Sequence, residues 1–390
     1  MLLLLLLYAC CLLALPVLQT MTICFSLLLG CALSASGAPI PSYPLSGGGT
    51  IPALAMGGFD FGGWFSAAGA GAMIQTFHGY GNGAHLAPQI AAQGRENVFV
   101  STGIPCGCCG SDAPSIQPMT AALAMGYIED ELAQLNTSYA DLLLFHHRCR
   151  TPQETAAVWT AFEAAKQAGM ARHIGVSNFN AHDLAALAAA PSTTLPIEVL
   201  EAHFGVGLMD FEALAFARAH GIHPVAFSSL SEASTDLPGL AAAVAAVAAA
   251  HGNVSSVVAS YAYVAAHNIT VLSSFDPAHP EWLADDLTVF DVALSAEEVA
   301  ALDKVTPGRR TCPDCYTDEC QACAQTLLRL GCPIGPLHGG FVWGRSNPQG
   351  VECTACAAQP AHAAQVQASC GATAGGESLE TMVPKACGIG

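Results

Sequence analysis

Residues 139–180, "YADLLLFHHRCRTPQETAAVWTAFEAAKQAGMARHIGVSNFN", contain two apolar runs separated by one helical stretch. The runs, at 142–146 and 174–178, are nearly continuous and end in polar residues. The intervening "QETAAVWTAFEAAKQAG" has helical periodicity. Near-continuous apolar strands that alternate with helices are typical of a parallel sheet covered by helices. The segment therefore predicts one strand–helix–strand unit.

The same alternation extends in both directions, from about residue 51 to residue 305. Eight such units in about 250 residues favour a closed (β/α)8 TIM barrel, an α/β fold, over an open doubly wound sheet. No Gly-x-Gly-x-x-Gly turn follows an early strand, which disfavours the open dinucleotide-binding sheet. Ser295 and Glu298 predict a capping box at the start of the last helix. The other six predicted strands lie at 54–58, 73–77, 98–103, 199–203, 225–229 and 271–274.

Composition limits the partners of this chain. Of its 390 residues, 52% are hydrophobic and 11% are charged, which suits one large core. The chain has 12 Lys and Arg against 30 Asp and Glu, a net charge of −18. Nucleic acid and anionic membrane surfaces are therefore excluded as partners, because no basic patch exists to neutralise phosphates.

The amino-terminal segment, 1–37, is apolar, ends in small residues and has no charged side chain. It predicts a secretory signal peptide or an uncleaved signal anchor, and translation starts at Met1 or at Met21. The protein is expected in the secretory lumen or outside the cell, with a signal-anchored membrane protein as the alternative. Membrane contact is expected only if the segment stays uncleaved. Three glycosylation sequons, at Asn136, Asn253 and Asn268, fit this compartment.

Cysteine distribution separates the tail, 310–390, from the barrel, 50–305. Of the 17 cysteines, seven lie between Cys312 and Cys356, and they include three Cys-x-x-Cys pairs. After a signal peptide, a disulfide-stapled module is expected in the tail, with a zinc module as the alternative. The rest of the tail is predicted to be partly disordered. In the barrel, "CGCCG" at 106–110 predicts disulfides to that loop, with a redox-active pair as the alternative.

Catalytic groups of a barrel lie at the carboxyl ends of its strands. Reading those ends places a phenol, Tyr80, and an imidazole, His146, in the same region. Together they can handle a proton at a carbonyl oxygen. The other residues at or after these ends are Gln75, Gly103, Ser177, Asn178, Glu201, Phe227 and Ser273.

These stretches resemble the aldo-keto reductase family over residues 50–305. "IPALAMGG" resembles the opening strand of that family, "FHGYGN" its tyrosine loop and "YADLLLFHH" its histidine strand. "GRENVFVSTGIP" resembles the strand that normally ends in a lysine, and "RHIGVSNFN" the strand that binds the carboxamide. "HPVAFSSL" and "LTVFDVALSAEEVAALDKV" resemble the nicotinamide-stacking strand and the closing helix.

The resemblance implies reduction of a carbonyl by a nicotinamide hydride. It assigns Tyr80 as the general acid and His146 as its partner. The family also holds a lysine against an aspartate, and those positions are Gly103 and Gln75 here. The charged pair is therefore replaced, and weak or altered activity is expected because a nearby ammonium would otherwise acidify the phenol.

The resemblance also assigns a cofactor cleft for NAD(P)(H). Ser177 and Asn178 occupy the carboxamide positions, Phe227 the stacking position, and Glu201 replaces the usual glutamine. The phosphate-binding lysine position is Ser273 or Ser274, and Trp282 lies near the arginine position. No Lys or Arg occurs between 218 and 304, and the acids at 276–286 are expected on a solvated helix face. NADH is therefore predicted over NADPH, and no metal site is predicted in the barrel.

Two functions remain open from the sequence. The first is a nicotinamide-dependent reductase, a monomer that acts on a small-molecule aldehyde or ketone. The second is a catalytically inactive barrel that acts as a secreted or lumenal binding protein. Cofactor binding discriminates between them, because hydride transfer requires it.

Overall fold

Eight parallel strands form a closed barrel whose order follows the chain. The computed structural model describes residues 40–58, 61–106, 118–149, 151–230, 239–274 and 276–306, together with Pro360 and Val366. The strands are β1 (Ser42–Pro44), β2 (Thr50–Pro52), β3 (Leu54–Gly57), β4 (Ala72–Gln75), β5 (Val98–Ile104), β6 (Ala140–Phe145), β7 (Ala171–Ser177), β8 (Val199–Gly205), β9 (Leu208–Met209), β10 (His223–Phe227) and β11 (Thr270–Ser274).

Helices follow the strands along the chain. They are α1 (Gly62–Ala68), α2 (Gly83–Gln93), α3 (Ala121–Gln134), α4 (Pro152–Gln167), α5 (Ala181–Ala188), α6 (Phe211–Ala219), α7 (Leu240–Ala250), α8 (Ser256–Ala266), α9 (Pro280–Asp286) and α10 (Ala296–Val305). Two short 3-10 helices lie at Arg95–Asn97 and Val289–Asp291. The predicted capping box is confirmed at the start of α10. None of the described helices is long and apolar enough to cross a membrane.

Strand pairing confirms the predicted barrel. The order β3-β4-β5-β6-β7-β8 is continuous, and β10 pairs with β8 on one side and with β11 on the other. The circle closes where β11 pairs with β3. The ends of the eight predicted strands lie within three residues of the observed ends. Apolar periodicity was therefore sufficient to place every barrel strand.

An amino-terminal hairpin, β1 and β2, is a feature that the sequence reading missed when it began the fold at residue 51. The strands pair antiparallel across a turn in which Gly48 and Gly49 have positive φ. Leu45 and Ile51 are buried and join the inner core of the barrel. Each strand has only three residues, so periodicity could not reveal them, although the Gly-rich turn was a usable signal.

Two layers of buried apolar side chains stabilise the barrel. The inner layer fills the barrel itself and includes Met73, Phe77, Leu144 and Val225. The outer layer packs the strands against the helices and includes the fully buried Trp159. The predicted boundaries 1–37, 50–305 and 310–390 stay predictions, because the signal segment and almost all of the tail lie outside the described residues.

Candidate active site

The loop after β4 holds Tyr80 at the rim of the barrel. Gly79 and Gly81 flank it with positive φ, a conformation that glycine adopts without steric cost. The Tyr80 amide donates a hydrogen bond to the Phe77 carbonyl at 3.0 Å. The Thr76 hydroxyl donates to the Asn82 side chain at 2.6 Å and ties the two ends of the loop together.

Tyr80 and His146 lie next to each other, as predicted. Their ring centroids are 5.9 Å apart and the rings meet edge to face. Tyr80 is 40% exposed, so a ligand at the rim can reach the phenol. Partial burial raises the pKa of Tyr80 above its usual value, and the nearby Glu201 carboxyl raises it further.

His146 stacks on Phe77 with ring centroids 3.9 Å apart. Burial lowers the pKa of His146 to about 4, so the imidazole is neutral at pH 7. A neutral imidazole has one donor nitrogen and one acceptor nitrogen, and it can therefore hydrogen-bond a substrate oxygen. Sequence reasoning assigned no role to Phe77. Its place at the start of the "FHGYGN" loop, three residues before Tyr80, was a usable signal.

Gly103, near the end of β5, lies against Phe77, and a side chain at this position would not fit. A Cβ atom on Gly103 would overlap the carbonyl oxygen of Leu144 and would lie 2.6 Å from the Phe77 ring. The position that the resemblance assigns to a lysine is therefore closed by the neighbouring backbone and by Phe77. Tyr80 lacks a lysine partner on this strand for a steric reason as well as a sequence reason.

Glu201 on β8 lies inside the barrel and is 3% exposed. Its carboxyl accepts hydrogen bonds from the Gln75 amide, across the barrel, and from the Ser177 hydroxyl at 3.0 Å. Burial raises the pKa of Glu201 to about 7, despite these two hydrogen bonds. The charged form of a buried carboxyl lacks the water that would solvate it, and no cation replaces that water here, which explains the direction of the pKa shift.

The two predicted carboxamide binders, Ser177 and Asn178, also lie at this end. The Asn178 side-chain amide donates to the His146 carbonyl at 2.9 Å and to the Ser177 hydroxyl at 3.1 Å. Asn178 has φ of 61°, which suits asparagine at a strand-ending turn. Phe227, at the end of β10, is half-buried and packs edge-on against His203 at 4.2 Å. The structure brings these residues together with Tyr80 and Glu201 at one barrel end.

The predicted phosphate end is acidic. The Ser273 hydroxyl donates to the Asp286 carboxylate at 2.7 Å and accepts from the Tyr261 hydroxyl at 3.1 Å. Burial raises the pKa of Asp286 to about 6. The expectation of a solvated helix face is therefore wrong for Asp286, which is 3% exposed because its carboxylate binds a barrel residue. Ser274 is exposed.

Two further predicted features flank the rim. Trp282 on α9 is 52% exposed and stacks on His279 at 4.1 Å. The sulfur atoms of Cys106 and Cys149 lie within bonding distance, with Cα atoms 5.2 Å apart. Cys106 follows β5 and Cys149 follows β6, so the contact joins the loop after β5 to the loop that begins with His146. The rest of the "CGCCG" loop lies outside the described residues.

A nicotinamide fits this site at one end only. Ser177, Asn178 and Phe227 supply hydrogen-bonding groups and an aromatic face. At the other end, Ser273 already binds a carboxylate, and no Lys or Arg forms an ion pair with Asp286 in the part of the chain that the structure describes. The residues present fit a nicotinamide ring better than a phosphate group.

Comparisons with known proteins agree with this geometry. A sequence profile described as "Aldo/keto reductase family" matches residues 80–307. An aldo-keto reductase of Mycobacterium sp. (strain MCS) is 30% identical over 287 residues, which is 71% of this chain and 95% of that protein. A morphine 6-dehydrogenase of Pseudomonas putida is 28% identical over 293 residues, 70% of this chain and 94% of that protein.

Solved structures share the fold. An aldo/keto reductase from Brucella melitensis superposes with a TM-score of 0.57 at 22% identity. The match covers 68% of this chain and 99% of that chain. At this identity the likeness supports the barrel alone.

Proposed function

Because this chain belongs to the aldo-keto reductase family, we propose that it reduces the carbonyl of a small aldehyde or ketone to an alcohol, with a nicotinamide cofactor. The observation that carries the proposal is the edge-to-face contact of Tyr80 and His146 at the barrel rim. When bound, the reduced nicotinamide supplies the hydride that joins the carbonyl carbon. The protein must then supply one proton to the oxygen.

Tyr80 supplies that proton in the proposed reaction. Among the three contacting rings of Phe77, Tyr80 and His146, Tyr80 carries the exposed hydroxyl donor. His146 lies beside it as a neutral hydrogen-bonding partner for the substrate oxygen. The raised pKa of Tyr80 makes the phenol a weaker acid than usual at neutral pH. The reaction is therefore proposed to be slow, in keeping with the missing lysine at Gly103.

NADH is the proposed cofactor, in preference to NADPH. Ser177 and Asn178 would hold the carboxamide and Phe227 would cover the ring. The engagement of Ser273 with Asp286 supports this preference, because a 2′-phosphate near that end would meet a carboxylate instead of a cation.

The test uses the mature chain, with NADH and NADPH titrated by intrinsic fluorescence and turnover measured on a panel of aldehydes and ketones. Tyr80→Phe is expected to lower kcat/KM by about 10²–10⁴, the usual contribution of a general acid, with NADH affinity unchanged. Tyr43→Phe, in the hairpin at the opposite end, is the matched control and is expected to keep wild-type turnover. Equal turnover of wild type and Tyr80→Phe would refute the assigned acid.

A second function is favoured by the closed Gly103 position and the acidic phosphate end. In it, the barrel binds a small molecule or protein without catalysis. Absence of NADH and NADPH binding up to millimolar concentrations, in a correctly folded chain, would support this alternative and end the reductase proposal.

The secretory lumen or the extracellular space is the proposed location. Support comes from the approach of Cys106 to Cys149, which suits an oxidising compartment. The sequon residues Asn136, Asn253 and Asn268 are all exposed. Non-reducing mass spectrometry of secreted protein, before and after removal of N-linked glycans, tests this. A reduced, unglycosylated chain in the cytosol would contradict it.

A further inference from the structure

Glu201 occupies the centre of the barrel end that carries Tyr80. Its carboxyl accepts one hydrogen bond from Gln75 on β4, across the barrel, and one from Ser177 on the neighbouring strand β7. Gln75 is also the residue from which the Tyr80 loop begins. The Glu201 carboxyl is thus anchored to the base of that loop.

Cations do not neutralise this carboxyl. Within the described ranges, no Lys, Arg or His forms an ion pair with Glu201. Arg148, two residues after His146, pairs with Asp183 at 3.2 Å. Gln75 donates an amide hydrogen and carries no charge. A carboxyl in such surroundings changes its charge near neutral pH, whereas an exposed one does so near pH 4.

Three other ionisable side chains lie near Tyr80: His146, its neighbour His147, and His78 in the Tyr80 loop, which pairs with Asp130 at 2.8 Å. His146, directly after β6, is neutral above about pH 5, since burial lowers its pKa to about 4. The residues that face Glu201 from β7 and β10, Ser177 and Val225, do not titrate. Hydrogen bonds also connect the Glu201 carboxyl to the residue beside the phenol. The Ser177 hydroxyl that donates to Glu201 accepts from the Asn178 amide, and that amide donates to the carbonyl of His146, whose ring lies 5.9 Å from the Tyr80 ring. Among the ionisable groups at this end, Glu201 is therefore the one whose charge raises the pKa of Tyr80.

We propose that Glu201 sets the acidity of the Tyr80 phenol: the neutral carboxylic acid permits proton donation to a substrate carbonyl, and the carboxylate suppresses it. A negative charge beside a phenol opposes formation of the phenolate that proton donation leaves behind. Glu201 acts through Tyr80 and is a positioning residue. The consequence for turnover rests on the proposed reductase function, whereas the coupling of the two side chains does not.

Turnover is expected to follow the charge of Glu201. For the wild type, kcat/KM for carbonyl reduction falls by about tenfold between about pH 6 and pH 8.5, as for loss of a required protonated group with a pKa near 7. Glu201→Gln keeps the size of the side chain but has no charge to gain. Its pH profile of kcat/KM is expected to be flat over the same range, whatever its absolute value.

Glu131→Gln is the matched control. Glu131 on α3 is also a buried acid, 2% exposed, and it binds a single hydroxyl, that of Thr102, at 2.6 Å. Burial raises its pKa as well, but it is no source of the shift at Tyr80. This variant is expected to keep the wild-type fall in kcat/KM. A fall that persists in Glu201→Gln would overturn the proposal.

A spectroscopic readout separates this inference from the reductase proposal. The Tyr80 signal is followed by NMR of protein labelled with ¹³Cζ-tyrosine and is assigned with Tyr80→Phe. Glu201→Gln is expected to lower the pKa of Tyr80 by about one unit, tenfold in acidity. Such a shift in a chain without turnover would support the coupling and refute only the reductase function. An unshifted Tyr80 titration would overturn the coupling itself.

Discussion

Two glutamates three residues apart at the start of β8 show how this barrel distributes its few cations. Glu198, just before the strand, is 1% exposed, and Glu201, inside it, is 3% exposed. Burial by itself would raise the pKa of Glu198, but hydrogen bonds from His173 and Lys166 outweigh it and lower the pKa. Burial raises the pKa of Glu201 to about 7, because its partners are uncharged. Two carboxyls of similar solvent exposure thus have pKa values shifted in opposite directions, and only the one with a lowered pKa has cationic partners.

The same difference holds for other acids at the two ends. At the amino-terminal end, Asp141 pairs with Arg95 at 2.8 Å and with Arg172 at 2.7 Å. At the opposite end, Asp286 binds the Ser273 hydroxyl. Cations pair with the buried carboxylates at the amino-terminal end. The end that carries Tyr80 keeps buried carboxyls whose hydrogen-bond partners are uncharged and whose pKa burial raises.

The largest expected effect tests whether the packing around Gly103 excludes any side chain from the position that the resemblance assigns to a lysine. Gly103→Ala places a Cβ atom against the Leu144 carbonyl and the Phe77 ring. Because backbone must move, we expect the free energy of unfolding to fall by about 3 kcal/mol, measured by chemical denaturation. Gly126→Ala, in α3, meets no atom within 4 Å and is expected to be neutral or stabilising by up to about 1 kcal/mol. Equal stability of the two variants would show that the lysine position is open.

The second test measures the cost of ionising Glu201. Its folded-state pKa of about 7 lies above the ordinary value of 4.5, so the folded state binds the proton more tightly. Stability is therefore lost as pH rises from about 4.5 to about 7, by up to about 3 kcal/mol. Glu201→Gln lacks this loss, and we expect it to match the wild type near pH 5 and to exceed it near pH 8.

Histidines act in the opposite direction and must be subtracted. Burial lowers the pKa of His146 and of His223 to about 4, so both lose stability as pH falls from about 6.5 towards 4. This loss is common to wild type and Glu201→Gln and cancels in the difference between their denaturation curves. A difference that does not change between pH 5 and pH 8 would contradict the raised pKa.

The third test removes the paired acid. Glu198→Gln leaves Lys166, whose side chain is 25% exposed, and His173 without their carboxylate. We expect a loss of about 2 kcal/mol at neutral pH, below the usual range for a buried pair because Lys166 is partly hydrated. Glu281→Gln, in an exposed pair with His279, is the control and is expected to leave the free energy of unfolding unchanged, because exposed pairs contribute little. Equal losses in the two variants would mean that burial does not determine how much an ion pair contributes to the free energy of unfolding.

Sequence reasoning placed the barrel well because each strand is a local pattern. It also predicted that Tyr80, His146 and Glu201 lie at one end of the barrel, because the topology determines where the strand ends meet; their roles stay predictions. It did not foresee that Glu201 reaches across the barrel to Gln75, residues 126 positions apart in the chain. Periodicity carries no information about contacts between strands that are not neighbours.

Side-chain environment was the second limit. Asp286 was expected on a solvated face because helical acids usually are, yet its carboxylate binds Ser273 inside the rim. Gly103 was read as a lost lysine, but the Phe77 ring that fills the space is visible only once the loop after β4 is folded. Residue type predicted the chemistry available, whereas burial and partners decided the charge state.

The smallest expected effect comes from adding a cation to the acidic end. Ser274 is exposed at the end of β11, and Ser274→Lys is proposed to lie near the phosphates of a bound cofactor. An exposed ion pair contributes up to about 1 kcal/mol, so we expect NADPH to bind about fivefold more tightly, and NADH less so. Ser192→Lys, exposed before β8, is the matched control and is expected to leave both affinities unchanged. The gain should shrink at high salt, because exposed charges are screened. An unchanged NADPH affinity in Ser274→Lys would mean that the phosphates do not reach this end of the barrel, and that the scarcity of cations there does not set cofactor preference.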